Sequence, residues 1–180
     1  MPYAVTHILI AIILVELFRE FFIKDNKKFP RYYILIAAFG AIIPDLDFIF
    51  VYLLNPLGFT INQIHRTILH TIFIPIILLL CGAISWKLKL KNKQFGKKHL
   101  HLPTIFFLLA IMNTLHLILD ALFSGQITPL YPFLDYTIGL WLVTFLPEEL
   151  QQIIFQTIDG ILLLFWIIWM EFKIKITSYF

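Results

Sequence analysis

Long apolar segments separated by short polar connections make up almost the whole chain. The apolar runs cover roughly residues 3–23, 32–54, 68–86, 102–123 and 150–172. Each is close to the ~20 residues that a helix needs to cross the hydrocarbon layer of a bilayer. A further apolar run, 138–146, is too short to cross and ends before Pro147. The pattern predicts an all-α integral membrane bundle of about five transmembrane helices, with one short re-entrant or interfacial segment.

The composition supports this class and argues against a soluble protein. Of the 180 residues, 60% are apolar and only 14% are charged, whereas a soluble domain is about a quarter charged. We expect one transmembrane helical domain over residues 1–180 that contacts the lipid bilayer and no nucleic acid. The single cysteine, Cys81, excludes a disulfide framework. The first apolar run lacks a basic leader and a cleavage site, so it is expected to remain as the first span. The oligomeric state is left open.

The basic residues predict the orientation of the spans. Lysine and arginine cluster at 19–31, 87–98 and 173–175, and of the 14 such residues only Arg66 lies elsewhere. Five spans put all three clusters on one side, which the positive-inside rule makes cytoplasmic. The chain is therefore predicted to lie in the cell (inner) membrane with its N-terminus outside and its C-terminus in the cytoplasm.

Ionisable residues interrupt these apolar segments at a few positions. Asp45 and Asp47 follow Pro44 in the second run, and His116 and Asp120 lie four residues apart in the fourth. A charge at the centre of a bilayer costs about 2.5–3.5 kcal/mol on insertion scales. The predicted topology places every candidate ligand in the outer half of the bilayer, including His7, His65 and His70, and Arg66 lies there with them. His99 and His101 lie inside, where a solvated loop is expected.

The residue types predict a metal site. Three aspartates and one arginine leave about two uncompensated negative charges in a low-dielectric place, if all three are ionised. A divalent cation would remove this deficit, and imidazole with carboxylate suits zinc or a similar transition ion. The alternative is that one or two of the aspartates are protonated, with His116 and Asp120 forming a neutral hydrogen bond between helices.

The local sequence suggests how these groups converge. Pro44 is expected to push Ile43 out of helical geometry and to break the second helix, so that Asp45 caps the segment that follows. His65 and His70 are five residues apart and cannot share one helix face, so His65 is expected in a loop and His70 in the first turn of the third span. Arg66 suits a phosphate or carboxylate, or else a lipid head group or Asp47.

Two polar stripes accompany the candidate ligands. Asn113 extends the face of His116 and Asp120, and the last span carries Gln152, Gln156 and Asp159. The second stripe predicts either cavity lining or contacts between helices, with the latter slightly favoured. A rigid loop formed by Gly125 and residues 129–133 is expected over the mouth of the site.

These motifs together resemble a known family. Four features in this order resemble the YdjM family. They are His7, G-x-x-x-P-D-x-D at Gly40 to Asp47, H-R-x-x-x-H at His65 to His70, and H-x-x-x-D at His116 to Asp120 followed by Gly125 and Pro132-Phe133. Its members are predicted membrane-bound, metal-dependent hydrolases, also described as LexA-binding inner-membrane proteins. Where the family has Gly after the arginine and Thr-His-Ser at the second histidine, this chain has Thr67 and Leu69-His70-Thr71.

A fainter similarity is to the all-helical zinc-dependent phospholipase C and P1 nuclease group, in which an early His, an Asp, a His and H-x-x-x-D occur in the same order. That group completes a multi-metal cluster with later ligands. No histidine follows His116 here, so one or two ions are the limit.

The function predicted from the sequence is a metal-dependent hydrolase acting on a phosphoester or similar bond of an amphiphilic substrate at the outer face. The predicted ligands of one or two divalent ions, zinc in the first instance, are His7, Asp45, His65, His70, His116 and Asp120. Asp47 is predicted as general base or partner of a ligand, and Arg66 as an anion clamp. The alternatives are an ion or metal transporter and a non-catalytic protein with a structural metal.

Overall fold

The computed structural model describes residues 3–25, 28–65, 67–88, 94–95, 100–123, 127–175 and 177. The helices are α1 (Ala4–Phe18), α2 (Tyr32–Ile42), α3 (Asp47–Leu54), α4 (Ile61–Ile64), α5 (Phe73–Lys87), α6 (Leu102–Phe123) and α7 (Glu148–Ile174). A π-helical turn, Arg19–Ile23, continues α1, and two short strands, β1 (Gln94–Phe95) and β2 (Leu100–His101), pair antiparallel. The predicted all-α class is confirmed, although the sequence did not predict the strand pair.

Helix α6 lies at the centre of the bundle. It packs against α2 and α5, while α1 packs against α2 and α7. Small residues allow this close packing, because a Cβ atom on Gly40 would lie 3.1 Å from both the Cα of Leu109 and the Cβ of Met112. The backbones of α2 and α6 therefore approach each other closely at this point.

The second apolar run is broken at Pro44, as the sequence predicts. Helix α2 and the segment Pro44–Leu57 are bent by 57° at this break. The predicted effect on Ile43 was wrong, because this residue keeps helical angles (φ −51°, ψ −46°). The predicted cap was also wrong, since no side chain caps either the 3-10 turn Pro44–Leu46 or α3. The Asp45 carboxylate instead approaches two histidines.

Among the described residues, fewer helices qualify as membrane spans than the five predicted. Leu102–Phe123 and Glu148–Lys173 are long and apolar enough, and the bent pair formed by 32–42 and 44–57 would make a third. Helices α1 and α5 each have 15 residues. Helix α5 begins at Phe73, five residues after the predicted start of the third span.

The segment predicted as re-entrant or interfacial, 138–146, is not helical. Ile138 forms a β-bridge with Ile127, and the backbone N–H groups of Leu140 and Leu142 donate to the carbonyls of Ala121 and Leu122. The last carbonyls of a helix have no partner within it, so this segment completes the C-terminal end of α6. The backbone N–H of Ile72 donates to Pro129, which holds the same loop against the start of α5.

The other end of the bundle carries a separate set of charges. Arg19 is buried and its Nε donates to the Phe29 carbonyl at 2.9 Å. Lys173 at the end of α7 pairs with Glu20 at 2.5 Å. The backbone N–H of His101 donates to the Tyr33 hydroxyl, while His99 lies outside the described residues. The basic residues described here are therefore at the end opposite the buried histidines.

Candidate metal centre

Five of the predicted ligands meet inside the bundle. Helix α1 supplies His7, the 3-10 turn supplies Asp45, the turn before α5 supplies His70, and α6 supplies His116 and Asp120. All except Asp45 are buried, and the Asp45 side chain is 14% exposed. His70 lies three residues before Phe73, so the prediction that it belongs to the first turn of a helix was wrong.

Four donor atoms form the centre of this cluster. The Nε2 atom of His70 lies 3.6 Å from Asp45 Oδ1 and 3.5 Å from Asp120 Oδ2. The Nε2 atom of His116 lies 3.5 Å from each of the same two oxygens. Each nitrogen therefore faces two carboxylates at nearly equal distances.

These distances fit metal ligands better than hydrogen bonds. An N–H···O hydrogen bond usually measures about 2.7–3.2 Å. Zinc binds nitrogen and oxygen at about 2.0–2.2 Å in tetrahedral sites, which separates neighbouring donors by about 3.3–3.6 Å. Four of the six separations in such a tetrahedron are the 3.5–3.6 Å distances described above. Asp45, His70 and His116 form one group of donors close enough to share a divalent ion, and Asp120 lies 3.5 Å from both imidazoles.

The backbone fixes the orientation of His116. Its Nδ1 lies 2.7 Å from the carbonyl oxygen of Ala41. A carbonyl only accepts, so Nδ1 carries the proton and Nε2 presents its lone pair to the cluster. Histidines that bind metals usually donate their other N–H to a carbonyl or carboxylate. The close approach of α2 to α6 at Gly40 brings the Ala41 carbonyl to this place.

Asp47 contacts two further ring nitrogens. Its Oδ1 accepts from His65 Nδ1 at 2.8 Å, and its Oδ2 lies 3.1 Å from His70 Nδ1. Asp47 is 2% exposed and follows the break directly. It therefore stands behind His70 and holds the far edge of that ring. Asp47, His65 and His70 also form a second group of donors close enough to share an ion.

His7 adds a third group with His116 and Asp120. The rings of His7 and His116 are stacked with centroids 3.8 Å apart, and His7 Nε2 lies 3.5 Å from Asp120 Oδ1. Because the other oxygen of Asp120 faces His70 and His116, this carboxylate faces histidines of both the first and the third group of donors.

The predicted anion clamp, Arg66, lies outside the described residues. Asp45, Asp47 and Asp120 each form ion pairs with histidines at this end of the bundle. A buried carboxylate requires a hydrogen bond, a proton or a cation, and the spacing of the donors favours a cation.

The cluster borders a groove of about 660 Å³. Asp45 lies in its wall and connects it with the buried donors. The other lining residues come from the N-terminal ends of α1 and α7 and from the break: Tyr3, Ala4, Ile42, Leu46, Phe48, Glu148, Gln151, Gln152 and Phe155. Sequence reasoning missed Glu148, since an acidic residue at the start of a helix is common in any protein.

The polar stripes have different surroundings. Asn113 is fully buried one turn before His116, and no hydrogen bond to its amide was found among the described residues. Asp159 accepts from the hydroxyl of Thr6 and so joins α7 to α1. This contact supports the prediction that the stripe on the last span connects helices, whereas Gln152 lines the groove.

The chain matches a known protein family. A family model described as YdjM inner membrane protein matches residues 1–178. No curated protein and no solved structure matches the chain, so the similarity to the phospholipase C and P1 nuclease group has no support.

Proposed function

The chain belongs to the YdjM inner membrane protein family, and we propose that it is a membrane-embedded, metal-dependent hydrolase acting on a phosphoester or similar bond of an amphiphilic substrate. The observation that carries the proposal is the set of four 3.5–3.6 Å separations between two imidazole nitrogens and two carboxylate oxygens. We take zinc as the first candidate ion, with one or two ions bound.

Some of these residues would bind the ion directly, and others orient the residues that bind it. His70, His116, Asp45 and Asp120 would hold the first ion, and His7 with the second oxygen of Asp120 would contribute to another. The Ala41 carbonyl and Asp47 orient the rings of His116 and His70. When bound, such an ion lowers the pKa of water and polarises the scissile group.

In the proposed reaction a water oxygen bonds to phosphorus, the bond from phosphorus to the alcohol oxygen breaks, and the alcohol leaves with a proton. Of the cluster's described carboxylates, Asp45 is the one that lines the groove through which a substrate would enter. Asp47 remains the predicted general base, and its contacts with His65 and His70 give it the additional role of orienting those rings.

We also propose five crossings of the membrane with the cluster at the outer face. Helix α1 and its π-helical extension together cover 20 residues, 4–23, which span about 30 Å. The alternation of the helices and the basic residues at the opposite end support an outer N-terminus and a cytoplasmic C-terminus.

A structural metal site is the second candidate. Four protein donors fill a tetrahedral site, and catalytic zinc keeps one position for water. The exposure of Asp45 to the groove favours the enzyme, because this ligand is the one that water or substrate can reach and displace.

The test is metal analysis of purified protein combined with hydrolysis of a panel of phospholipids and polyprenyl phosphates. We expect about one or two equivalents of a transition metal per chain and activity that a chelator removes. His116→Ala should lose metal and activity, while His101→Ala, at the opposite end, should keep both. Equal metal content in both variants would end the metal-site proposal, and full metal content without any hydrolysis would favour the structural site.

A further inference from the structure

The groove beside Asp45 has features that select a class of substrate. Its volume of about 660 Å³ lies within the range of about 300–1,000 Å³ for small-molecule sites. It joins the buried donors to the N-terminal turns of α1 and α7, where the polar groups of an amphiphile would lie in the proposed topology. A substrate with its reacting bond at Asp45 would place the rest of its head group along this wall.

The wall is acidic and carries no basic group among its described lining residues. Asp45 lies at the cluster and Glu148 lies in the first turn of α7. Glu148 lies at the positive end of the helix dipole, where acidic residues are favoured. If the ion neutralises Asp45, Glu148 remains as the uncompensated charge of the wall.

Aromatic rings line the same space. Tyr3, Phe48 and Phe155 all belong to the wall, and the rings of Tyr3 and Phe155 pack edge to face with centroids 6.2 Å apart. The faces of aromatic rings attract cations, with the largest effect for amines that have lost part of their hydration. A groove wall that combines a carboxylate with aromatic rings is therefore suited to binding a positively charged amine.

We propose that the groove binds an amine-bearing phosphoester, with the phosphoryl group at the Asp45 end and the ammonium group at Glu148. The inference rests on the proposed hydrolase function and specifies its substrate. Such a group occurs both in ethanolamine-type lipid head groups and in free phosphoethanolamine. A phosphoglycerol head group places neutral hydroxyls where the ammonium group would lie, so it would lack this attraction to Glu148.

The experiment compares binding and turnover of short-chain phosphatidylethanolamine, short-chain phosphatidylglycerol and free phosphoethanolamine by purified, metal-loaded protein. Binding is measured by calorimetry on the metal-free protein as well, so that one readout does not depend on hydrolysis. Glu148→Gln should weaken binding of the amine lipid about tenfold and leave the glycerol lipid unchanged or better bound. Glu148→Lys should reverse the preference.

Glu149→Gln is the matched control, because Glu149 is exposed in the same helical turn and does not line the groove.

The outcomes separate this inference from the proposed function. Loss of preference in Glu148→Gln with unchanged metal content supports the inference, and a similar preference for free phosphoethanolamine would identify the soluble compound as the ligand. If Glu148→Gln and Glu149→Gln behave alike toward the amine and glycerol lipids, the inference is overturned while the metal results stand. If neither amine compound binds in any form of the protein, the aromatic rings are bilayer anchors and the inference fails. Absence of metal would overturn the proposed function alone, since amine binding to the metal-free protein still reports on Glu148.

Discussion

At the scale of single residues, the histidines differ in what holds each ring. His116 donates to a backbone carbonyl, whereas His65 donates to Asp47, and His70 has Asp47 near one ring nitrogen and two carboxylates near the other. A neutral imidazole has one N–H, so it cannot donate to carboxylates at both edges. Both edges of His70 would be satisfied if its Nε2 held an ion and its Nδ1–H faced Asp47. Asp47 therefore influences the site through its contacts with the rings of His65 and His70.

Asp47→Asn tests this role. The amide can replace only one of the two carboxylate acceptors, so metal affinity should fall about 10–100-fold, as for other partners of metal-bound histidines. Asp135→Asn, at an exposed position, should have no effect. Metal titration and phosphoester turnover are the measurements. If excess metal restores activity, Asp47 orients ligands; if turnover stays about 10²–10⁴-fold lower at full metal occupancy, Asp47 is the general base.

At the scale of elements, the contact between α2 and α6 sets the position of the ligands. Gly40 allows these helices to approach, and the next residue, Ala41, provides the carbonyl for His116. Pro44 then bends the chain so that Asp45 and Asp47 leave α2 and point to histidines from other elements. If α2 continued as a straight helix, these two carboxylates would follow its axis and would not turn toward the histidines.

Gly40→Leu should separate α2 from α6, because even a Cβ atom there lies within 3.1 Å of two atoms of α6. Overpacking of this kind costs about 1–3 kcal/mol, so thermal unfolding in detergent should shift to lower temperature. Metal affinity should fall as well, since the Ala41 carbonyl moves away from His116. Gly160→Leu is the control, because a Cβ atom at Gly160 meets nothing within 4 Å. A Gly40→Leu protein with unchanged unfolding and metal binding would disprove this link.

At the scale of the whole molecule, the two ends of the bundle have different chemistry. The buried histidines and aspartates lie at one end, and the described basic residues, among them Arg19 and Lys173, lie at the other. In the proposed orientation the positive-inside rule puts the basic end in the cytoplasm, and substrate would reach the groove from the outer face.

Cysteine labelling in a Cys81→Ser background tests this orientation. Tyr136 is 66% exposed near the groove end, and the Lys28 side chain is 82% exposed at the basic end. In intact cells, an impermeant reagent should label Tyr136→Cys and spare Lys28→Cys, and both should react after the membrane is opened. The reverse pattern would place the site in the cytoplasm.

The sequence by itself determined the class of the protein and the identity of its candidate ligands. Apolar runs of spanning length can fold only as helices in a bilayer, and ionisable residues inside them need partners wherever they lie. The break at Pro44 followed from the missing N–H of proline. Five predicted ligands, from His7 to Asp120, meet in one cluster for this reason.

Only the tertiary structure decided which atoms face each other. The Ala41 carbonyl that orients His116 belongs to an apolar residue with no sequence signal, and Glu148 faces the groove only because α7 packs beside α1. Asp45 was predicted to cap a helix from local geometry, yet two histidines from distant parts of the chain attract its carboxylate. The local sequence determines which buried ionisable residues require a partner, whereas the packing between helices determines which partner each of them contacts.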